Sequence, residues 1–237
     1  MIKLFRNIRK KLVAEGKIIN YLKYAIGEIV LVVIGILIAL SINNWNEVRK
    51  NRQFEKEIIT LIDQNLQTDS TLIAIELNKS QVAIISTDRL LDRISQKSYP
   101  ESLNNLMGEI INFQRFKSQS SAYEVLKAKG IENIRDNQLQ LALISYYDEI
   151  LFNLYESMLD VEKQFNTDWV PIIKQEFSDF KWMQYCTPTN SKSFFKNPST
   201  IVLFKLFKDN REGQIRRMKA ALAKISEIRT LIKANQR

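Results

Sequence analysis

The chain has 237 residues and a net charge of +9, with 35 Lys+Arg against 26 Asp+Glu, 45% hydrophobic and 26% charged residues. It contains no histidine, which excludes imidazole acid–base chemistry, His-activated nucleophiles and imidazole metal sites. One cysteine, Cys186, leaves no partner for an internal disulfide, and six glycines without GxxxxGK or GxGxxG spacing leave no phosphate-cradling loop. No catalytic, cofactor-binding or metal-binding residue is therefore assigned, and a non-enzymatic protein is expected.

The charge is concentrated at the start of the chain. Lys3, Arg6, Arg9, Lys10, Lys11, Lys17 and Lys23 stand against Glu15 alone in residues 1–23. Leu4, Phe5, Ile8 and Leu12 share one helical stripe, so this leader reads as a basic amphipathic segment on anionic lipid, ending near Gly16. Residues 24–42 follow as YAIGEIVLVVIGILIALSI, with Glu28 the one charge. Nineteen residues in α-helix span ~28 Å, close to the hydrocarbon core of a bilayer. Tyr21 before the stretch, Tyr24 at its start and Trp45 after it are placed as an interfacial aromatic belt. Ala39-Leu40-Ser41 resembles a signal-peptidase site, but the long basic leader favours a retained signal anchor. The basic bias puts the N-terminus in the cytoplasm and residues 43–237 in the periplasm, the span lying in a bacterial inner membrane.

The stretch MIKLFRNIRKKLVAEGK…YLKYAIGEIVLVVIGILIALSINNWNE resembles the N-terminus of an uncharacterised family of single-pass membrane proteins from Bacteroidetes. The second block, SAYEVLKAKG…IRDNQLQLALISYY from Ser121 to Tyr147, is similar to another recurring segment of that family. The resemblance implies a membrane location and topology, and no activity.

Within the span, Gly35, Ala39 and Asn46 lie 7, 11 and 18 residues beyond Glu28, which brings all four to one helical face. Small residues permit close helix approach, so this face is a candidate contact with a second copy or another membrane protein. Its alternative is Glu28 reaching back to the interface beside Lys23 and Tyr24, or, in an oligomer, lining a pore.

Beyond the membrane the apolar spacing is helical: Phe54, Ile58, Leu61, Ile62 and Leu66, then Leu72 to Ile94, with Thr68–Thr71 as the place for a kink. Tyr99–Ser102 reads as a turn, Ser102 and Ser121 as caps of short helices, the first reaching Phe113 and the second ended by Gly130. Residues 137–165 read as a long helix, Pro171 as a start or kink, 180–198 as a loop, and the last residues as a helix with Ile215, Met218, Leu222, Ile225, Ile228 and Ile232 inward. No alternating strand is evident. The expected fold is all-α, one transmembrane helix continuing into an antiparallel helical bundle with Tyr123, Tyr146, Tyr147, Tyr155, Trp169 and Trp182 in its core.

Asp148, Glu149, Glu156, Asp160 and Glu162 read as solvated surface, and Cys186 has no base beside it. Residues 205–237 hold ten Lys/Arg and three acids, and are expected to lie against the acidic middle of the same bundle. The functional expectation is a scaffold or accessory subunit of an envelope complex, homo-oligomeric or joined to other membrane proteins, without nucleic acid. The alternatives are a ligand-sensing bundle relaying to a partner, and a pore.

Overall fold

A computed structural model describes residues 18–235, and the chain divides between Phe54 and Glu55 into two compact units. The leader positions Lys3, Arg6, Arg9, Lys10 and Lys11, and the side chains of Tyr21 and Tyr24, lie outside the described residues. Helix α1 runs from Ile18 to Ser95. It contains no proline, and no glycine after Gly35, so nothing in its sequence breaks the hydrogen-bond ladder. Thr68–Thr71 does not interrupt it. Thr68 and Thr71 donate to the carbonyls of Gln64 and Gln67 at 3.2 and 3.0 Å, and Asp69 turns inward.

In the second unit, the buried face of α1 is Glu55, Ile59, Ile62, Leu66, Asp69, Ile73, Glu76, Ser80, Ala83, Thr87, Leu90 and Ile94. Along this line the steps alternate between four and three, the 3.5-residue period of a helix that keeps one seam toward its neighbours, and Ile58 and Ser86 are buried beside it.

Two further helical runs complete the bundle. One comprises α4 (Asn137–Ile144), a π-helical turn (Ser145–Ile150), α5 (Leu151–Gln164), a second π-helical turn (Phe165–Trp169) and α6 (Val170–Glu176). Asp136 caps it by accepting from the amides of Gln138 and Leu139, and Pro171 falls where the second π-helical turn passes into α6. The other is α8 (Pro198–Asn235). Hydrogen bonds fix their directions. Asp63 meets Arg229, Ser80 meets Gln214 and Asp88 meets Lys208, so α8 is antiparallel to α1. Asp136 meets Asn235 and Gln164 meets Asn210, so it is antiparallel to the middle run as well. Glu55 meets Arg135 and Asp69 meets Tyr146, so α1 and the middle run are parallel.

Residues 96–136 make that parallel order possible by crossing back along the bundle. They contain α2 (Ser102–Ile110), a stretch without regular secondary structure over 111–120, α3 (Ser121–Lys129) and a 3₁₀ turn (Ile131–Asn133). Ser102 and Ser121 are first helical residues, not caps. The cap positions are Glu101 and Ser120, neither bonded through its side chain, and α2 ends before Phe113. Gly130 does terminate α3, at φ +106°, where a side chain is strained.

The stretch expected as a loop is instead an antiparallel hairpin, β1 (Phe177–Lys181) with β2 (Tyr185–Pro188), followed by α7 (Ser191–Lys196). Its strands are four and five residues long, a register irregularity between Phe177 and Asp179 disturbs the alternation, and its turn uses Met183 at φ 61° where glycine or asparagine would signal a turn. The hairpin covers the core at the Ser95 end, where Leu90, Met107, Trp169, Cys186, Phe195 and Phe204 meet. Gly108 of α2 lies flat against it: a β-carbon there would overlap the backbone of Gln184 and Tyr185. Trp182 and Tyr155, expected inside, are at the rim.

Candidate functional site

The first candidate is the face drawn on the membrane segment. α1 is α-helical through Glu28, Gly35, Ala39 and Asn46, so the residues share a face as their spacing requires. Glu28 and Asn46 are partly exposed and Ala39 is exposed. A β-carbon at Gly35 would meet nothing within 4 Å, so the face is open to another helix. Lys23 is exposed, and Trp45 stands out from the helix with the Arg49 guanidinium 5.7 Å from its ring.

The second candidate, absent from the sequence reading, lies inside the bundle. The 3.5-residue seam of α1 delivers Asp69, Glu76 and Ser80 to positions where aliphatic residues would ordinarily sit. Around Asp69, with no solvent exposure, the crossing stretch supplies the Ser118 hydroxyl and the Gln119 amide (2.8 Å), and the first π-turn supplies the Tyr146 hydroxyl at 3.0 Å. All three donate to the carboxylate. Burial nevertheless outweighs them and holds the Asp69 pKa above the ordinary value. Tyr147 stacks on Tyr123, 4.2 Å between centroids, and its buried hydroxyl has no protein partner. Burial, with the Asp148 charge second, pushes Tyr123 up to about 12.

Two to three turns further along α1, beside Glu76 and Ser80, Arg211 of α8 enters the core at 1% exposure. Its guanidinium donates to Ser80 Oγ (3.3 Å), to the Ile110 carbonyl (3.4 Å) and to the Asn112 carbonyl and side-chain oxygens, and it lies 5.2 Å from the centre of the Phe207 ring. Ser80 in turn donates to Gln214 at 3.0 Å. Burial lowers Arg211 to about 10, opposed by the charge of Glu76. Glu76 is raised by the same burial, opposed by Lys79 (3.9 Å) and Arg211. Arg211 Nε and Glu76 Oε2 have no hydrogen-bond partner in the protein. The two charges hold one another in a region where an isolated one would be costly.

These residues join α1, the crossing stretch and α8 at one level, so the arrangement fixes register and handedness among parts that are distant in sequence. The signal is present in the chain, as acids and hydroxyls falling on the apolar repeat of residues 55–94, but an acid on a helical repeat carries no local mark of its buried partners.

The remaining expectations find their places. Asp148, Glu149, Glu156 and Asp160 are exposed, Asp148 meeting Lys127 at 3.0 Å, while Glu162 is half-buried and its pKa is lowered by the hydrogen bond from Arg115. The basic α8 does lie on the acids of its own bundle, through the ion pairs Arg229–Asp63 and Lys208–Asp88, and the charge of Arg211 acts on Glu76 without a direct bond between them. Cys186 is buried and its thiol is pushed up to about 12, a protonated core residue. Among the described residues, no three His, Cys, Asp or Glu are grouped to hold a metal ion.

Residues 28–174 match the pattern of a family of unknown function, DUF6090. The chain belongs to DUF6090. The DUF6090 match begins at Glu28, contains Asp69, Glu76, Ser80, Asn112, Ser118 and Tyr146, and stops within α6, before Arg211 and Gln214. No curated protein and no solved structure matches the chain.

Proposed function

We propose that this DUF6090 protein is a single-pass inner-membrane protein, of the Bacteroidetes type its leader and span resemble, serving as a scaffold or accessory subunit of an envelope complex. The observation that carries this reading is the N-terminal part of α1, a helix long and apolar enough to cross a membrane, whose aliphatic side chains between Ile26 and Ile42 are exposed. Such a surface is stable only in lipid or against protein. Glu28, Gly35, Ala39 and Asn46 form the contact face, and the basic leader sits on anionic headgroups with the bundle in the periplasm.

Orientation is tested with Lys50→Cys in intact spheroplasts. The new thiol, on an exposed position, should react with an impermeant maleimide, while buried Cys186 stays silent. Labelling only after lysis would reverse the topology.

The contact face is tested by Gly35→Leu against Leu37→Ala. The first places a branched side chain where backbones approach, and should reduce co-purification or crosslinking several-fold. Leu37 lies half a turn round from Glu28, and its truncation should change little. Equal yields would reduce the span to an anchor.

A further inference from the structure

We infer that the outward face of α1 between Thr60 and Ile85 pairs two copies of this chain in parallel, in register, beside the membrane. The inference deepens the membrane-anchored reading and rests on it.

The observation is one of charge. Among the described residues, no exposed side chain from Thr60 to Ile85 is charged. The four charged residues in that stretch all turn away: Asp69 and Glu76 are in the core, Asp63 is held by Arg229, and Lys79 reaches toward Gln114 and Glu76. The other two long helical runs differ. α8 exposes Lys205, Asp209, Arg216, Arg217 and Lys219, and α5 with its preceding turn exposes Asp148, Glu149, Glu156 and Asp160. In a chain with 26% charged residues, seven turns of exposed helix without one point to a surface that is normally covered.

Its pattern selects the partner. Leu61, Thr68, Ile75 and Val82 recur every seven residues, with Gln64, Thr71, Asn78 and Ile85 three residues after each. That is a second 3.5-residue seam, on the opposite side of α1 from the one buried in the bundle. β-Branched residues at Thr68, Ile75 and Val82 suit a two-stranded parallel pairing, and Asn78 facing its own copy fixes the register. A strongly charged partner would find no counter-ion here, whereas an identical uncharged seam meets no repulsion.

The face is about 39 Å long and about 10 Å wide, a footprint of ~400 Å². That is half of the ~800 Å² per partner in a standard interface. Pairing is accordingly weak for free chains and strengthened by confinement to one membrane, which raises the effective concentration and gives both copies the same direction.

The test uses the full-length chain in native membranes, with Thr68→Cys, Ile75→Cys or Val82→Cys and mild oxidation. Each should give a disulfide-linked dimer at least tenfold above the exposed controls Asp160→Cys and Lys219→Cys. Adding Ile75→Glu to Val82→Cys should cut the dimer at least tenfold with helix content and thermal midpoint unchanged, because Ile75 is 49% exposed. Retention after an alkaline carbonate wash reports the anchor separately. A retained chain with only control-level crosslinks, or crosslinks to a different protein, overturns the pairing. A washed-off chain that still crosslinks at these three positions overturns the anchor and supports the pairing. Loss of both overturns both.

Discussion

Replacing Arg211 by alanine should destabilise the protein by about 3–5 kcal/mol, the range for breaking a buried charge pair, and lower its thermal midpoint by roughly 10 °C. Removal leaves Glu76 buried with only Lys79 nearby, and leaves the Ile110 and Asn112 carbonyls without the guanidinium. The charge component separates from the hydrogen-bond component in a second variant. Arg211→Met with Glu76→Leu removes both charges and keeps volume, and should recover more than half of the loss. The measurement is thermal unfolding of the full chain in detergent, followed by far-UV circular dichroism. A double variant no better than Arg211→Ala would put the cost in the orphaned carbonyls.

Asp69→Ala is expected to cost about 3 kcal/mol or more at neutral pH, because it strands the donors of Ser118, Gln119 and Tyr146 inside the bundle. Tyr146→Phe, which removes one donor and keeps the ring, should cost about 1–2 kcal/mol. The pH dependence carries a definite sign. Folding raises the Asp69 pKa above 3.8, so the folded state binds the proton more tightly than the unfolded chain. Wild type should therefore gain stability relative to Asp69→Ala as pH falls through the raised folded value, the gain being complete below the unfolded value. Glu162, held low by Arg115, works in the opposite direction. Chemical unfolding of both proteins between pH 7 and pH 3.5 measures the difference. A gap that narrows on acidification would show that the ionised form is the one the fold prefers.

The class of fold and the membrane segment were legible in the sequence because both depend on local pattern. An uninterrupted aliphatic run needs no partner to be recognised, and three-to-four spacing identifies helix before its neighbours are known. Gly130 was legible for the same reason. The hairpin was not, since its turn depends on Met183 holding a positive φ, and its place depends on Gly108, 76 residues before the Gln184 backbone it lies against. The interior charges were missed on different grounds. Glu76 and Arg211 look like surface residues one at a time, and only the direction of α8 along α1 makes each the other's justification. The parallel course of α1 and the middle run was equally out of reach, because it is set by how residues 96–136 return, and that path is held by contacts such as Ser118 with Asp69.

The π-helical turn at Ser145–Ile150 lets Tyr146 and Tyr147, adjacent in the chain, both be buried. It also stores one residue more than an α-helix of the same length would hold. Were that residue taken back into regular α-helix with the start of the run held, everything after it would be pushed on by one place, and Asn153, Ser157 and Asp160 would take the positions of Leu154, Met158 and Val161. An amide, a hydroxyl and a carboxylate would then stand where apolar side chains are now buried, Val161 with no exposure at all. The polar residue ahead of each of these core positions thus keeps the helix from sliding.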